Sequence, residues 1–343
     1  MTLKDIAARA GVSISTVSRI INDKETKAAS REVRERVWRI IRETGYVPNR
    51  NAQKLRLVEK EKGRTGKYIA TVFARAGDSN DIFFAELASA VEFEAYKKGY
   101  NVKCSFYAGD LNDKSFSMTL KDQSISGLVV LGRFENESAI KIMNEQRNVV
   151  YVGLNPTGSK QDIVFCDGHS ASMMAVEELI ELGHKKIAYI GEKNKEVRYS
   201  GYTEVIKRHK FEIDSSRIIE SKQSLEGGYT GAKELCDRGS EFSAVFCAND
   251  ATAMGCIKYL REHNIKVPSD VSVISIDDVE MSRYFMPMLT TVHIPINEMG
   301  KQAAKLLIDR IEKGHILPVK MELPFSISRR NSCAKYSSLE HIK

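Results

Sequence analysis

Along residues 67–333 the apolar positions fall into two alternating patterns. Short runs that are apolar almost throughout predict strands buried on both faces at Tyr68–Phe73, Asn101–Phe106, Gly127–Leu131, Val149–Gly153, Ile187–Ile190, Ala244–Ala248 and Val273–Ile276. Between them, apolar residues three and four apart predict helices over Phe84–Lys98, Ser138–Gln146, Ala171–Leu182, Gly231–Asp237, Ala251–Glu262 and Asn297–Lys313. Such alternation gives parallel sheets covered by helices on both faces. The strands outnumber what one compact sheet needs, so an α/β body of two lobes is expected. Ligands of such folds sit outside the carboxyl ends of the strands, here in the cleft between lobes.

The first 48 residues have a different rhythm. Leu3, Ile6, Ala7 and Ala10 share one helical face, and Thr2 with Asp5 resembles a capping box. Gly11 breaks this helix. Ser13 is placed to cap a second one, Ile14 to Ile21, ended by Asn22-Asp23, and Ser30 to cap a third carrying Val33, Val37, Ile40 and Ile41. Helix, short glycine turn, helix is the helix-turn-helix arrangement, and on its second helix Val17, Ile20 and Ile21 share the face turned inward. Ile14, Ser15, Ser18 and Arg19 take the opposite face. There Arg19 can fork onto guanine O6 and N7, Ser15 can bond a base edge or phosphate, and Ile14 can touch a thymine methyl.

Charge supports a polyanionic partner for this head. The chain carries +7 overall, but residues 1–64 hold 16 Lys/Arg against 8 Asp/Glu, so the remainder is close to neutral. An apolar content of 42% is ordinary for a globular protein. No apolar run reaches membrane-spanning length, and MTLKDIAARAG lacks a secretory leader's apolar stretch, so a cytoplasmic protein is expected. The cysteines Cys104, Cys166, Cys236, Cys247, Cys256 and Cys333 show no metal-ligand spacing and are expected to be reduced packing residues, with no metal and no cofactor.

The segment TLKDIAARAGVSISTVSRIIN resembles the start of the lactose/galactose repressor family of transcriptional regulators, and GYVPNRNAQKLR resembles that family's hinge. The likeness continues through ELGHKKIAYIG, FSAVFCANDATAMG and VPSDVSVISIDDVEMSRYFMPMLTTVHIP, which are similar to the periplasmic-type sugar-binding domain that the family shares. It implies DNA contacts from Thr2, Ser13, Ile14, Ser15, Thr16, Ser18, Arg19 and Asn22 in the head. It also implies a hinge helix at Asn49, Ala52, Leu55 and Arg56 that folds on DNA, with Leu55 as a wedge between base steps in the minor groove. The domains expected are a helix-turn-helix over 1–48, a hinge and linker over 49–66, the two-lobed body over 67–333 and a tail over 334–343. The linker LVEKEKGRTGKY is longer than the family pattern and reads as a flexible tether.

Polar groups follow several body strands. Asn249-Asp250 follow AVFCA, Asp277-Asp278 follow VSVISI, and Arg198 follows a loop after IAYIG. By the resemblance, Arg198, Asn249 and Asp277 contact the effector and Phe84 stacks on it. Asp250 and Asp278 are read instead as helix caps or surface turns. Gly153 stands where the lactose repressor has an acidic sugar contact, and Gln223 near a packing tryptophan, so both are read as ligand positions with a changed preference. The C-terminal third resembles a galactoside-operon repressor of the family, which favours galactose or a galactoside.

No G-x-S-x-G, H-E-x-x-H or G-x-x-x-x-G-K-[ST] occurs, so no enzyme is expected. Asp167-Gly168-His169-Ser170 is contiguous, unlike a working triad, and reads as a capped turn. His184 is read as a surface or helix-end residue. A single head makes few base contacts, so a homodimer on a pseudo-palindromic operator is expected, and the tail is too short for a tetramerising coiled coil. The alternatives are a co-repressor-dependent regulator of the same fold, or a sugar-binding protein with no DNA role.

Overall fold

The computed structural model describes residues 3–13, 16–17, 20, 30–44, 67–74, 82–107, 124–134, 143, 146–155 and 160–336. It separates into two units, Met1–Thr65 and Gly66–Lys343.

In the first unit, helix α1 (Leu3–Ala10) buries Ile6, Ala7 and Ala10. It ends where Gly11 turns to φ +64°, letting Gly11 N–H reach Ala8 O and Val12 N–H reach Ala7 O, a Schellman closure. Ser13 then starts the next helix, as expected: its hydroxyl accepts from Thr16 N–H at 3.1 Å and its carbonyl from Val17 N–H. Val17 and Ile20 are helical and buried. Ser30 opens α2 (Arg31–Thr44), whose Val37 is fully buried, and α2 packs against α1. Thr2, Ile14, Ser15, Ser18, Arg19, Asn22 and the hinge positions Asn49, Ala52, Leu55 and Arg56 lie outside the described residues, as does the tether up to Gly66, while Lys67 and Tyr68 open the first body strand.

The second unit contains two six-stranded sheets among the described residues. Lobe 1 comprises β1 (Lys67–Phe73), α3 (Ile82–Lys97), β2 (Tyr100–Tyr107), β3 (Ile125–Leu131), β4 (Val149–Gly153) and β5 (Asp162–Phe165). The chain crosses to lobe 2 for α4 (Gly168–Glu181), β6 (Ile187–Gly191), α5 (Val197–Arg208), β7 (Ile218–Glu220), α6 (Leu225–Asp237), β8 (Ala244–Cys247), α7 (Asp250–Glu262), β9 (Ser272–Asp277) and β10 (Thr290–His293). It returns for α8 (Ile296–Ile311) and β11 (Lys320–Glu322), then crosses again for β12 (Ser326–Ser328). The sheet orders are β11-β5-β4-β3-β1-β2 and β12-β10-β9-β8-β6-β7, parallel throughout except β10 with β12.

Burial explains the near-continuous apolar strands. Every residue of β4, β6, β8 and β9 is buried, because helices cover both faces. On lobe 1 that cover includes α3 and α8, brought together from distant sequence. At their crossing a Cβ on Gly300 would lie 2.6 Å from Ala90 Cβ and 2.8 Å from Leu87 O, so only glycine permits this approach. Leu87, Val91, Ala303 and Leu307 close the layer, each large side chain contributing about 1.5–3 kcal/mol by burial.

Several expectations need correction. Helix α5 and strands β5, β7, β10, β11 and β12 are additional to the elements the sequence predicts. The added strands are three or four residues long, too short to carry a periodic signal. The expected helix over 138–146 lies outside the described residues save Met143 and Gln146. His184 is not a surface residue: it is 3% exposed and bonds Ser243 Oγ and Ala334 O. Burial lowers its pKa, so it is a neutral latch for the segment after β12. Tyr336 N–H bonds Leu182 O, so the first tail residues belong to the body's surface. Asp167 caps α4, accepting from His169 N–H, Ser170 N–H and Ser170 Oγ, the capped turn that the sequence suggests.

Candidate functional site

The strands of both lobes end at a narrow cavity of about 40 Å³. Lobe 1 supplies Phe83 and Phe84 from the start of α3, Gly132 and Arg133 after β3, and Gly153, Leu154 and Asn155 at and after β4. Lobe 2 supplies Arg198 from α5, Gln223 after β7, Asn249 after β8 and Asp277 at the end of β9. All six body positions singled out in the sequence, Phe84, Gly153, Arg198, Gln223, Asn249 and Asp277, therefore line one cavity. Carboxyl strand ends are where parallel sheets leave backbone groups and loops available to a ligand.

Arg198 dominates the lobe-2 wall. Its side chain is 7% exposed and forks onto Glu196, with Nε to Oε1 at 2.7 Å and Nη2 to Oε2 at 3.2 Å. Nη1 donates to Ala248 O at 3.0 Å, and Nη2 also donates to Gln223 Oε1 at 2.6 Å. Burial opposes its charge, but Glu196 and, more distantly, Asp277 raise its pKa above the ordinary arginine value. Glu196 itself caps α5 through Arg198 N–H, and it accepts from Gln223 Nε2. The sequence reading missed Glu196. Its signal was an acid two residues before Arg198 in a turn that was not recognised as a helix start.

Asn249 caps α7, with Oδ1 accepting from Thr252 N–H and Thr252 Oγ1, while Nδ2 donates to Gln223 O at 3.3 Å. Asp277 and Asp278 have φ of +128° and +55°, two successive non-glycine residues in the left-handed region. Each such residue costs roughly 1–3 kcal/mol and persists where surrounding bonds fix it. Asp278 provides them: its carboxylate meets Arg330, Arg283, His293, Ser282 and Ser328. Despite burial, these donors and cations hold Asp278 well below the usual carboxylate range. Asp250 is also fully buried, accepting from Ser275 Oγ, Thr291 Oγ1 and Val279 N–H with no cation in that set. Burial, reinforced by nearby Asp278, pushes it up to about 7 against those three bonds. Neither aspartate is a surface turn. Both are buried supports beneath the lobe-2 wall, a role that strand-end position alone does not reveal.

The lobe-1 wall is built by absence of side chain. Gly132 has φ +88°, and a Cβ there would lie 2.9 Å from the Phe84 ring. Across the floor, a Cβ on Gly153 would approach Gly132 Cα to 3.3 Å. The ring of Phe84 thus rests on a glycine floor, edge-on to Phe83 at 5.2 Å. Asn155 Oδ1 is buried without a hydrogen-bond partner. Arg133 reaches across the cleft and donates to Lys195 O. A flat apolar ring beside convergent donors and acceptors can hold a small polyhydroxylated molecule. The space is smaller than a sugar ring, so side chains or lobes must move apart to admit one.

In the head, Ser13 Oγ and Thr16 Oγ1 lie 2.8 Å apart at the start of the second helix, the end that a helix-turn-helix presents to base edges. Among the described residues no helix is long and apolar enough to cross a membrane.

Two families match the chain: bacterial regulatory proteins of the lacI family over residues 2–49, and a periplasmic binding protein-like domain over residues 176–333. The chain is 32% identical over 317 residues to the HTH-type transcriptional repressor PurR of Haemophilus influenzae, covering 90% of this chain and 91% of that one. It is 29% identical over 343 residues to the HTH-type transcriptional repressor MelR of Bacillus subtilis, covering 96% and 97%. Among solved structures it is similar to the transcriptional regulator CelR in complex with cellobiose, with 28% identity, a TM-score of 0.71, and 97% and 99% of the two chains covered.

Proposed function

The chain belongs to the lacI family of bacterial regulatory proteins, and from that premise we propose that it is a transcriptional repressor whose operator affinity is set by a sugar bound between its lobes. The observation that carries this reading is the convergence of Phe84, Gly153, Arg198, Gln223, Asn249 and Asp277 on one cavity at the strand ends. The chain's similarity to a cellobiose-bound regulator supports a sugar, and galactose or a galactoside is the first to test. Asp277 and Asn155 would accept from sugar hydroxyls, Arg198 would donate, and Phe84 would lie against the ring.

In the head, Arg19, Ser15 and Ile14 read base edges, with Thr2, Ser13, Thr16, Ser18 and Asn22 alongside, and Leu55 wedges the minor groove beside Asn49, Ala52 and Arg56. Two copies act on a pseudo-palindrome. A lobe-2 face supports such pairing: Leu225 and Met286 are exposed there, and Glu226 and Glu262 stand beside Lys258 and Arg261, so a two-fold can set acids against bases. Ligand changes operator affinity only by binding one lobe arrangement better than the other.

Selection from a random duplex pool should return a two-fold site bound by two copies, with affinity falling steeply as salt is added. A pool without enrichment would count against the DNA reading. A sugar panel scored by thermal stabilisation tests the cleft, since a ligand that binds the native state raises its melting temperature.

A further inference from the structure

The two walls of the cleft differ in charge balance. On lobe 2, Arg198 stands with two carboxylates, Glu196, onto which it forks, and Asp277. On lobe 1 the described lining side chains are Phe83, Phe84, Leu154, Asn155 and Arg133, and among these the one charge is positive. Arg133 is half-buried, and its hydrogen bond goes to a neutral carbonyl, that of Lys195. Among the described residues no carboxylate pairs with Arg133, so its guanidinium is not neutralised there. A guanidinium has five N–H donors in a planar fork suited to carboxylate or phosphate, and a neutral carbonyl occupies only part of it. The same wall presents Asn155 Oδ1, a buried acceptor without a donor.

We infer that the cleft's ligand is an acidic sugar: a polyhydroxylated ring bearing a phosphate or carboxylate. The anion sits against Arg133, and a ring hydroxyl donates to Asn155 Oδ1. Arg133 is then the residue that selects acidic from neutral sugars. This rests on the reading of the cleft as a sugar site, and it narrows that reading from sugars in general to their anionic forms.

Calorimetric titration of the full chain with galactose, galactose 6-phosphate and galacturonate tests it. At low salt at least one acidic form should bind roughly tenfold or more tighter than galactose, as charge-assisted bonds exceed neutral ones. The phosphate and carboxylate arms show which anion fits. Arg133→Gln should remove most of that preference, and Arg133→Lys should keep part of it. Equal or tighter binding of galactose overturns the inference and leaves the sugar site standing, as does a preference that survives Arg133→Gln. Failure of all three ligands to bind overturns both. A melting temperature of the unliganded variant equal to the wild type's shows that it is folded.

Discussion

On the lobe-2 wall of the cleft the lining polar side chains are engaged within the protein: Arg198 with Glu196, Gln223 and Ala248 O, Asn249 with Thr252 and Gln223. On the lobe-1 wall a ring lies on Gly132, which Gly153 backs, an amide oxygen lacks a donor among the described residues, and an arginine holds a carbonyl across the gap. The first wall is pre-organised, so it can fix any ligand's orientation at little entropic cost. The second is unfinished, so it decides which ligand completes it. Specificity within this fold is therefore expected to lie on lobe 1, and anchoring on lobe 2.

The comparison breaks most visibly at Arg198. Arg198→Met leaves Glu196 buried without its cation, which should cost about 3–5 kcal/mol in urea unfolding and abolish ligand response. Adding Glu196→Gln should recover part of the stability and none of the binding. If Arg198→Met alone is neutral, lobe 2 is not the anchor. A smaller loss follows from Gly132→Val, which forces a side chain against the Phe84 ring at a left-handed position and should cost about 1–3 kcal/mol. Ligand affinity should fall with it; an unchanged affinity would remove the glycine floor from the site.

Asp250 gives a pH test of the support beneath lobe 2. Its folded pKa, about 7, exceeds the unfolded carboxylate value of about 4, so the native state holds a proton that the unfolded chain releases. Its contribution is complete below about pH 4 and is lost as pH rises towards 7. Asp278 runs oppositely: its depressed pKa gives stability above the unfolded value that is lost on acidification. Asp250→Asn should flatten the decline of melting temperature between pH 4 and 7. A slope equal to the wild type's would show that Asp250 titrates normally. The smallest effect belongs to Asn155→Leu, which removes an orphan acceptor and should stabilise the unliganded protein by up to about 1 kcal/mol while weakening sugar binding. Loss of stability there would mean the oxygen has a partner.

What the sequence made legible follows from length and periodicity. Long apolar runs such as Gly127–Leu131 and Ala244–Ala248 located the central strands, and Ser13 and Asp167 marked helix starts. Helix α5 escaped because Ser200-Gly201 interrupt its apolar stripe, and with it went Glu196, the partner that makes Arg198 tenable. Asp250 and Asp278 looked like surface acids because burial comes from three crossings of the chain, and Arg330, Thr291 and Ser328 arrive from far along the sequence. Gly132 and Asn155 carry no sequence signal at all: one is defined by a neighbour's ring, the other by a missing donor.

The most direct test of the account is a titration of operator affinity with sugar. Fluorescence anisotropy on the selected palindromic duplex should show wild-type affinity change at least roughly tenfold, a coupling of about 1.4 kcal/mol, at saturating ligand. Asp277→Asn, which alters the ligand wall, should bind the duplex normally and lose that response. If a sugar binds the cleft tightly and operator affinity stays the same, the link between cleft and DNA does not exist.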